Sequence, residues 1–438
     1  MNKFAHLTIL ISALLVLSSV AFGVQRFPPP EFKETGHELP VTTVQQPRGD
    51  LYEYLDIVVL LAALSVASYL ALKKRSRRGI FVLMILSLFY FGFWRKGCVC
   101  AIGAIQNVTL ALFDQSYTVP ITVIAFFTIP LIFTLFFGRT FCAAVCPLGA
   151  IQDVVLLKPV KVPSWLERGL RMFAYLYLGA AVLFAAMGSL FIICEYDPFI
   201  AIFRRTGSFN MLVLGASFLV MGMFVGRPYC RYLCPYSVLL GWMSRASKWH
   251  VTITPDQCIQ CRLCEDACPF GSIEKPTQED TRTSRGQGKK RLVALLILLP
   301  VFISAGVLIG VRVSPGLSRV APTVALAQRV FLESTGEVKE TTDASDAFYR
   351  TGRTTAELYE EAQGIGGQFA IGGGILGGFL GFIIGVKLIQ LAVRRTRVDY
   401  EMNTTTCISC ARCFSYCPVG RQLPTDSSES DAGEKSDE

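Results

Sequence analysis

The sequence predicts a mainly α-helical, polytopic membrane bundle of about seven to eight spans, with a small cysteine-rich module built from two separated runs. Three observations predict it. The chain has 438 residues, of which 52% are hydrophobic and only 17% charged. Its mean hydropathy is +0.46, the value of an integral membrane protein rather than of a soluble one with a large core. Apolar stretches of near-spanning length occur at 5–23, 53–72, 80–94, 119–137, 172–193, 209–225, 292–312 and 368–393. Finally, Cys258-Cys261-Cys264-Cys268 and Cys407-Cys410-Cys413-Cys417 repeat one spacing, C-x2-C-x2-C-x3-C-P.

In chain order, residues 1–23 combine Lys3, an apolar run and Ala21-Phe22-Gly23, so they read as a signal peptide or a first membrane helix. Either way, 24–52 forms an exported linker. Lys73-Lys74-Arg75-Ser76-Arg77-Arg78 then places the 73–79 loop in the cytoplasm by the positive-inside rule. Counting on, 95–118 lies outside, 138–171 inside, 194–208 outside, 226–291 inside, 313–367 outside and 394–438 inside. The inside segments also carry Lys289-Lys290-Arg291 and Arg394-Arg395-Thr396-Arg397. Span count and charge therefore agree, and the net charge of +9 needs no nucleic acid to explain it.

The resulting division is a membrane domain over 53–247, a first cysteine-run segment over 248–280, a basic linker over 281–291 and a helix over 292–312. An exported loop over 313–367, a Gly-rich helix over 368–393, a second cysteine-run segment over 398–424 and an acidic tail over 425–438 complete it. The tail's composition predicts disorder. Gly372, Gly373, Gly374, Gly377, Gly378, Gly381 and Gly385 give the last helix small-xxx-small faces, which let another helix approach closely. A membrane helix without a specific partner is the plain alternative.

The C-x2-C-x2-C-x3-C-P spacing is that of bacterial-type ferredoxins, in which the fourth cysteine of each run reaches the other cluster. On that rule Cys258, Cys261, Cys264 and Cys417 hold one 4Fe–4S cluster, and Cys407, Cys410, Cys413 and Cys268 hold the second. A structural zinc site takes two cysteine pairs rather than two four-cysteine runs each ending in proline. About 140 residues with two apolar spans part the runs, so the membrane must return both to one side. Twelve of the fifteen cysteines fall on segments read as cytoplasmic, where thiols stay reduced and ligate metals.

A second repeat pairs Gly138-Arg139-Thr140-Phe141-Cys142-x3-Cys146-Pro147 with Gly226-Arg227-Pro228-Tyr229-Cys230-x3-Cys234-Pro235. Each element follows a helix running inward, so the two C-x3-C-P elements should face one another. Four converging thiols suit a further iron–sulfur cluster or a dithiol redox centre. As buried cysteines they would only cap helix ends. A weaker echo runs from Cys98 and Cys100 to Gly103-Ala104-Ile105-Gln106-Asn107, beside Cys146-Pro147-Leu148-Gly149-Ala150-Ile151-Gln152-Asp153. Cys98, Cys100 and Cys194 fall at the exported face, where a metal centre, a redox-active disulfide, a structural disulfide or simple burial each fit.

Only His6, His37 and His250 are present, and no C-x-x-C-H occurs, so paired axial histidines and c-type haem attachment are not expected. No nucleotide-binding P-loop appears. Glu195, Asp197, Asp114 and Arg95 lie at span edges, as groups lining proton or quinone paths often do, although ordinary solvation also places charges there. The acidic 313–367 loop reads as a solvated connector or a docking surface.

These four cysteine motifs, in order over about 80–420, resemble the polyferredoxin-like membrane proteins of the NapH and NosR kind. The resemblance implies a multi-pass protein of the bacterial inner membrane, with its ferredoxin segments and C-terminus cytoplasmic. It implies electron transfer between two 4Fe–4S clusters and the quinone or quinol pool, or an exported reductase or cytochrome. A cytoplasmic donor, surrounding membrane lipid and the role of a relay subunit rather than a stand-alone enzyme complete the picture. Cys142, Cys146, Cys230 and Cys234 match that group's membrane-edge elements. The alternative is an assembly factor that delivers electrons to a maturing metalloenzyme. The chain departs from the group in two ways: no exported flavin-binding domain is legible, so no covalent flavin is expected, and membrane spans part the two runs.

Overall fold

The computed structural model describes residues 49–97, 100–253, 258–277, 285–393 and 397–418. Segment 1–23, nearly all of 24–52, Cys98 and the 425–438 tail therefore lie outside the described residues. The first helix, α1 (Asp50–Leu72), is 23 apolar-rich residues, or about 34 Å, long enough for a hydrocarbon core of about 30 Å. α2 (Arg77–Ser87) starts at Ser76, whose hydroxyl accepts from the Gly79 amide at 3.2 Å, and continues as a wide π-turn over Leu88–Trp94. A second π-turn, Phe141–Val145, leads into Cys146. Such turns interrupt helices where side chains must be re-aimed.

Among the described residues five helices are long and apolar enough to cross a membrane: Leu51–Leu72, Arg77–Trp94, Ser164–Ala186, Gly286–Ser318 and Thr355–Ala392. Two of the expected spans are shorter than a full crossing. α4 (Ile121–Phe137) has 17 residues and a later helix, Phe209–Gly222, has 14, or about 26 and 21 Å. The stretch read as exported at 95–118 contains α3 (Ala101–Phe113), whose Ala101, Ile102, Gly103, Ala104, Ile105 and Gln106 are buried. Thirteen residues are too few to register as a span, although the helix is part of the core. The 313–367 stretch is likewise helical rather than a bare connector: Ala327, Val330, Phe348 and Leu358 bury a small core of their own.

Between those segments run α5 (Pro147–Val154), α6 (Met172–Ala186), α7 (Phe209–Gly222), α8 (Pro228–Tyr232) and α9 (Pro235–Arg245). Then come α10 (Leu263–Ala267) and the long pair α11 (Arg285–Ser318) and α12 (Thr355–Ala392). Glycines form the seam of that pair. A Cβ on Gly306 or Gly310 would collide with the carbonyls of Gly377 and Gly373, and one on Gly381 with the carbonyl of Phe302. The expected close approach thus has α11 as its partner. On its other side Gly372 packs against Leu183 of α6. The large side chains of α11, among them Ile297, Val301, Leu308 and Ile309, are exposed and suit lipid.

This hairpin returns the chain to where it left. β1 (Ile273–Glu274) pairs antiparallel with β2 (Glu401–Met402), with Ile273 opposite Met402 and Glu274 opposite Glu401. Two carboxylates face each other there, and Arg397 offsets their repulsion by pairing with both. The Asn403 amide donates to the Ser272 carbonyl at 2.8 Å. α10 and α13 (Arg412–Tyr416) then pack against one another. The two cysteine runs therefore sit in one module at one end of the bundle.

Replacing Gly377 with Val should force α11 and α12 apart and cost about 2 kcal/mol, the usual penalty for over-packing a tight contact. Thermal unfolding in detergent should show a lowered Tm, whereas Gly364→Ala, where a Cβ meets nothing within 4 Å, should leave it unchanged or raise it, since alanine favours a helix interior.

Candidate iron–sulfur site

The two runs fold alike, residue for residue. Gln260 and Arg262 in the first, and Ser409 and Ala411 in the second, all take positive φ, between 54° and 66°. These flank Cys261 and Cys410, and left-handed backbone at non-glycine positions is strained enough to mark a functional loop. The curl turns amides toward sulfur: the Ser409 N–H donates to Cys407 Sγ at 3.4 Å.

Cys268, Cys407, Cys410 and Cys413 line one small cavity, walled by Val251, Phe270, Ile273, Met402 and Ile408 and by the cation Arg412. The fourth cysteine of the first run thus lines one cavity with the first three of the second. Cys264 is buried with Ile273 and Tyr400, with Cys258 packed against them, and the Cys258 and Cys261 sulfurs are close enough to act on it electrostatically. Cys417 ends α13. Burial pushes the Cys407 thiol up to about 12 and raises Cys413 as well, so bare thiolates are costly there. The positive charge of iron would remove that cost. Among the described residues no three His, Cys, Asp or Glu side chains are grouped to hold a single ion. A four-iron cluster meets each thiolate with a different iron, and the donor set of four cysteine sulfurs around one cavity fits one.

The C-x3-C-P repeat lies directly beneath this module. Cys146 and Cys234 stand at the N-caps of α5 and α9, each followed by proline at the first helical position. The Cys142, Cys146, Cys230 and Cys234 sulfurs converge closely enough to perturb one another. From α5, Gln152 accepts from the Tyr229 amide at 3.0 Å and donates to Cys230 Sγ at 3.2 Å, so the first element positions a thiol of the second. A cavity of about 190 Å³ opens beside Cys142 and Cys230. Among the described residues six cations line it, Arg139, Arg171, Arg227, Arg231, Arg245 and Lys387, and no carboxylate does. Phe270 and Ile408 wall both this cavity and that of Cys407.

Each Gly-Arg pair seats one half of the module. A Cβ on Gly138 would lie 3.4 Å from Ser409 Oγ, and one on Gly226 would lie 3.1 Å from Pro269. Arg139 donates to the Thr405 carbonyl at 2.9 Å, and the Arg227 guanidinium stands over the Phe270 ring at 5.7 Å. One buried carboxylate joins these parts. Asp153 pairs with Arg77 at 2.7 Å, Arg412 at 3.1 Å and Arg227 at 3.4 Å. Burial would push its carboxyl up, but the guanidinium groups of Arg227, Arg412 and Arg77 reverse this and hold it well below the usual carboxylate range. These arginine and carboxylate roles are not legible from cysteine spacing. Their one sequence signal is a polar Gln-Asp pair inside an apolar segment.

A third cavity, of about 270 Å³, lies at the other end of the bundle, with Asp56, Arg95, Cys100, Cys194 and Asp197 among its walls. The span Arg77–Trp94 fixes the separation. Arg77 at its start reaches Asp153, and Arg95 just past its end pairs with Asp56 at 2.7 Å, about 27 Å away along a helix. Cys98 lies outside the described residues.

A 4Fe–4S-binding domain model matches residues 119–171 and 208–254, one C-x3-C-P element in each stretch, and a second 4Fe–4S-binding domain model matches residues 251–274. The run at 407–417 lies outside both. The chain is 27% identical over 194 residues to the uncharacterized protein MJ0750 of Methanocaldococcus jannaschii, covering 42% of this chain and 79% of the relative. It is 28% identical over 118 residues to YccM of Escherichia coli, whose name assigns it provisionally to electron transport, covering 25% of this chain and 33% of the relative. It is 31% identical over 125 residues to NirI of Paracoccus denitrificans, covering 27% of this chain and 18% of the relative. No solved structure matches the chain. The chain thus carries 4Fe–4S-binding ferredoxin-type domains in a mainly helical structure that includes membrane-length helices, and it resembles NapH/NosR-like membrane iron–sulfur proteins.

Asp153→Asn should leave three guanidinium groups around a neutral side chain and cost about 3–5 kcal/mol, as breaking a buried ion network does. Because the folded carboxyl is held below its ordinary value, the network's contribution is present above about pH 4 and is lost only as pH falls through the depressed value. Tm measured against pH should therefore fall more steeply on acidification in the wild type than in Asp153→Asn.

Proposed function

We propose that the protein is a membrane-bound electron relay that passes electrons between two ferredoxin-type 4Fe–4S clusters and a quinone or redox partner reached through the membrane domain. The observation that carries this reading is the common wall of Phe270 and Ile408 between the Cys407 cavity and the cavity of Cys142 and Cys230. One cluster takes Cys258, Cys261, Cys264 and Cys417; the other takes Cys407, Cys410, Cys413 and Cys268. The 4Fe–4S-binding match over both C-x3-C-P elements supports a third centre on Cys142, Cys146, Cys230 and Cys234. Bound there, an iron–sulfur cluster supplies one-electron chemistry, while the six surrounding cations offset its negative charge and raise its affinity for an electron. The electron-transport description of YccM points the same way. Placing the Lys73–Arg78 face in the cytoplasm makes the ferredoxin module cytoplasmic and the Asp56 end exported.

Anaerobic purification followed by iron analysis tests the reading. Three cubanes give about twelve irons per chain, and the ferredoxin pair alone gives about eight. Cys410→Ser should remove about four irons and one reduced-cluster EPR signal, and Cys230→Ser should remove a different four. Iron near zero in an anaerobic, folded preparation would overturn the relay.

A further inference from the structure

We propose that Cys100 and Cys194 form a redox-active dithiol/disulfide pair at the end of the membrane domain away from the ferredoxin module, where it reduces a disulfide of a partner. This rests on the relay reading for its electrons. The pair repeats, in a different place, the construction around Cys146 and Cys230. Cys100 is the N-cap of α3 as Cys146 is of α5. Six residues on, the buried Gln106 accepts from the Ile193 amide at 3.0 Å, just before Cys194. Gln152 accepts from the Tyr229 amide at the same distance, just before Cys230. In the second case the glutamine nitrogen goes on to donate to the cysteine sulfur. In the first, Gln106 Nε2 is buried with no partner among the described residues.

Both cysteines border the same space. A Cβ on Gly103, one turn beyond Cys100, would lie 3.5 Å from Cys194 Sγ, and both cysteines line the 270 Å³ cavity. Cys194 is exposed and Cys100 is half-buried, the arrangement of an attacking thiol backed by a resolving one. Cys100 also lines a small cavity with Cys146, so one member of the pair adjoins a C-x3-C-P thiol.

With iron–sulfur clusters held by the cysteine runs as the one-electron donors, two electrons and two protons from solvent in the cavity would open the Cys100–Cys194 disulfide to two thiols. Cys194 then attacks the partner disulfide, forming a mixed disulfide and releasing one partner thiol. Cys100 attacks Cys194 Sγ, which releases the second partner thiol and restores the internal bond. The clusters lose two electrons, and one partner disulfide becomes two thiols.

To test this, the full-length protein is purified anaerobically in detergent, reduced with dithionite and exposed to oxidised glutathione. It is then quenched in acid, alkylated and mapped by mass spectrometry alongside iron analysis. The expected result is a peptide linked through Cys100 and Cys194 in the wild type, and a glutathione adduct held on Cys194 in Cys100→Ser. Cys194→Ser should form neither. Both thiols remaining alkylated in protein of full iron content would overturn the pair, as would a bridge from either one to Cys98. A linked peptide in protein without iron would support the pair and overturn the relay on which its electrons depend.

Discussion

Everything at the membrane edge is registered by one buried negative charge. Asp153 sits between guanidinium groups contributed by three separate parts of the chain: Arg77 at the start of a span, Arg227 in the second C-x3-C-P element and Arg412 in the second ferredoxin run. Burying a guanidinium without a counter-charge is costly. The three segments are therefore favoured in the placement that brings each of them to Asp153. That placement puts the Cys407 cavity against the cavity of Cys142 and Cys230, so an electrostatic requirement fixes the geometry on which electron transfer would depend.

The cations that exceed this carboxylate have their own logic. Glu167 pairs with Arg231 at 2.6 Å and also with Arg171, while Arg139 reaches only a carbonyl and a sulfur. A concentration of positive charge beside four thiols favours whatever carries negative charge there. On the relay reading that is a reduced centre, and the protein holds its counter-ions in place before any electron arrives.

Much of this was legible in the sequence because cysteine spacing is a chemical constraint: the two ferredoxin runs, the C-x3-C-P repeat and the long apolar helices all announce themselves. The rest was hidden for physical reasons. α3 is thirteen residues long, below what a spanning pattern detects, yet it carries Cys100 into the core. Asp153 and Gln152 resemble any polar pair at a helix end until the fold shows what surrounds them. The helices at 322–350 hide in a stretch whose acidic surface masks four buried apolar side chains. Glycine periodicity in the last helix was visible, but its partner, α11, is set by the matching glycines at 306 and 310.

The long hairpin of α11 and α12 has a consequence for biogenesis. β1 is synthesised some 125 residues before β2, and both membrane-length helices come between them. A ribosome-bound chain that has made only the first run holds half a module, with Cys268 lacking the sulfurs it will share a cavity with. The module can close only once both helices exist and their glycine seam has brought the two runs together. Completion of the cysteine module is thereby made conditional on correct pairing of the hairpin, and a chain that mispairs there is left with its two runs apart.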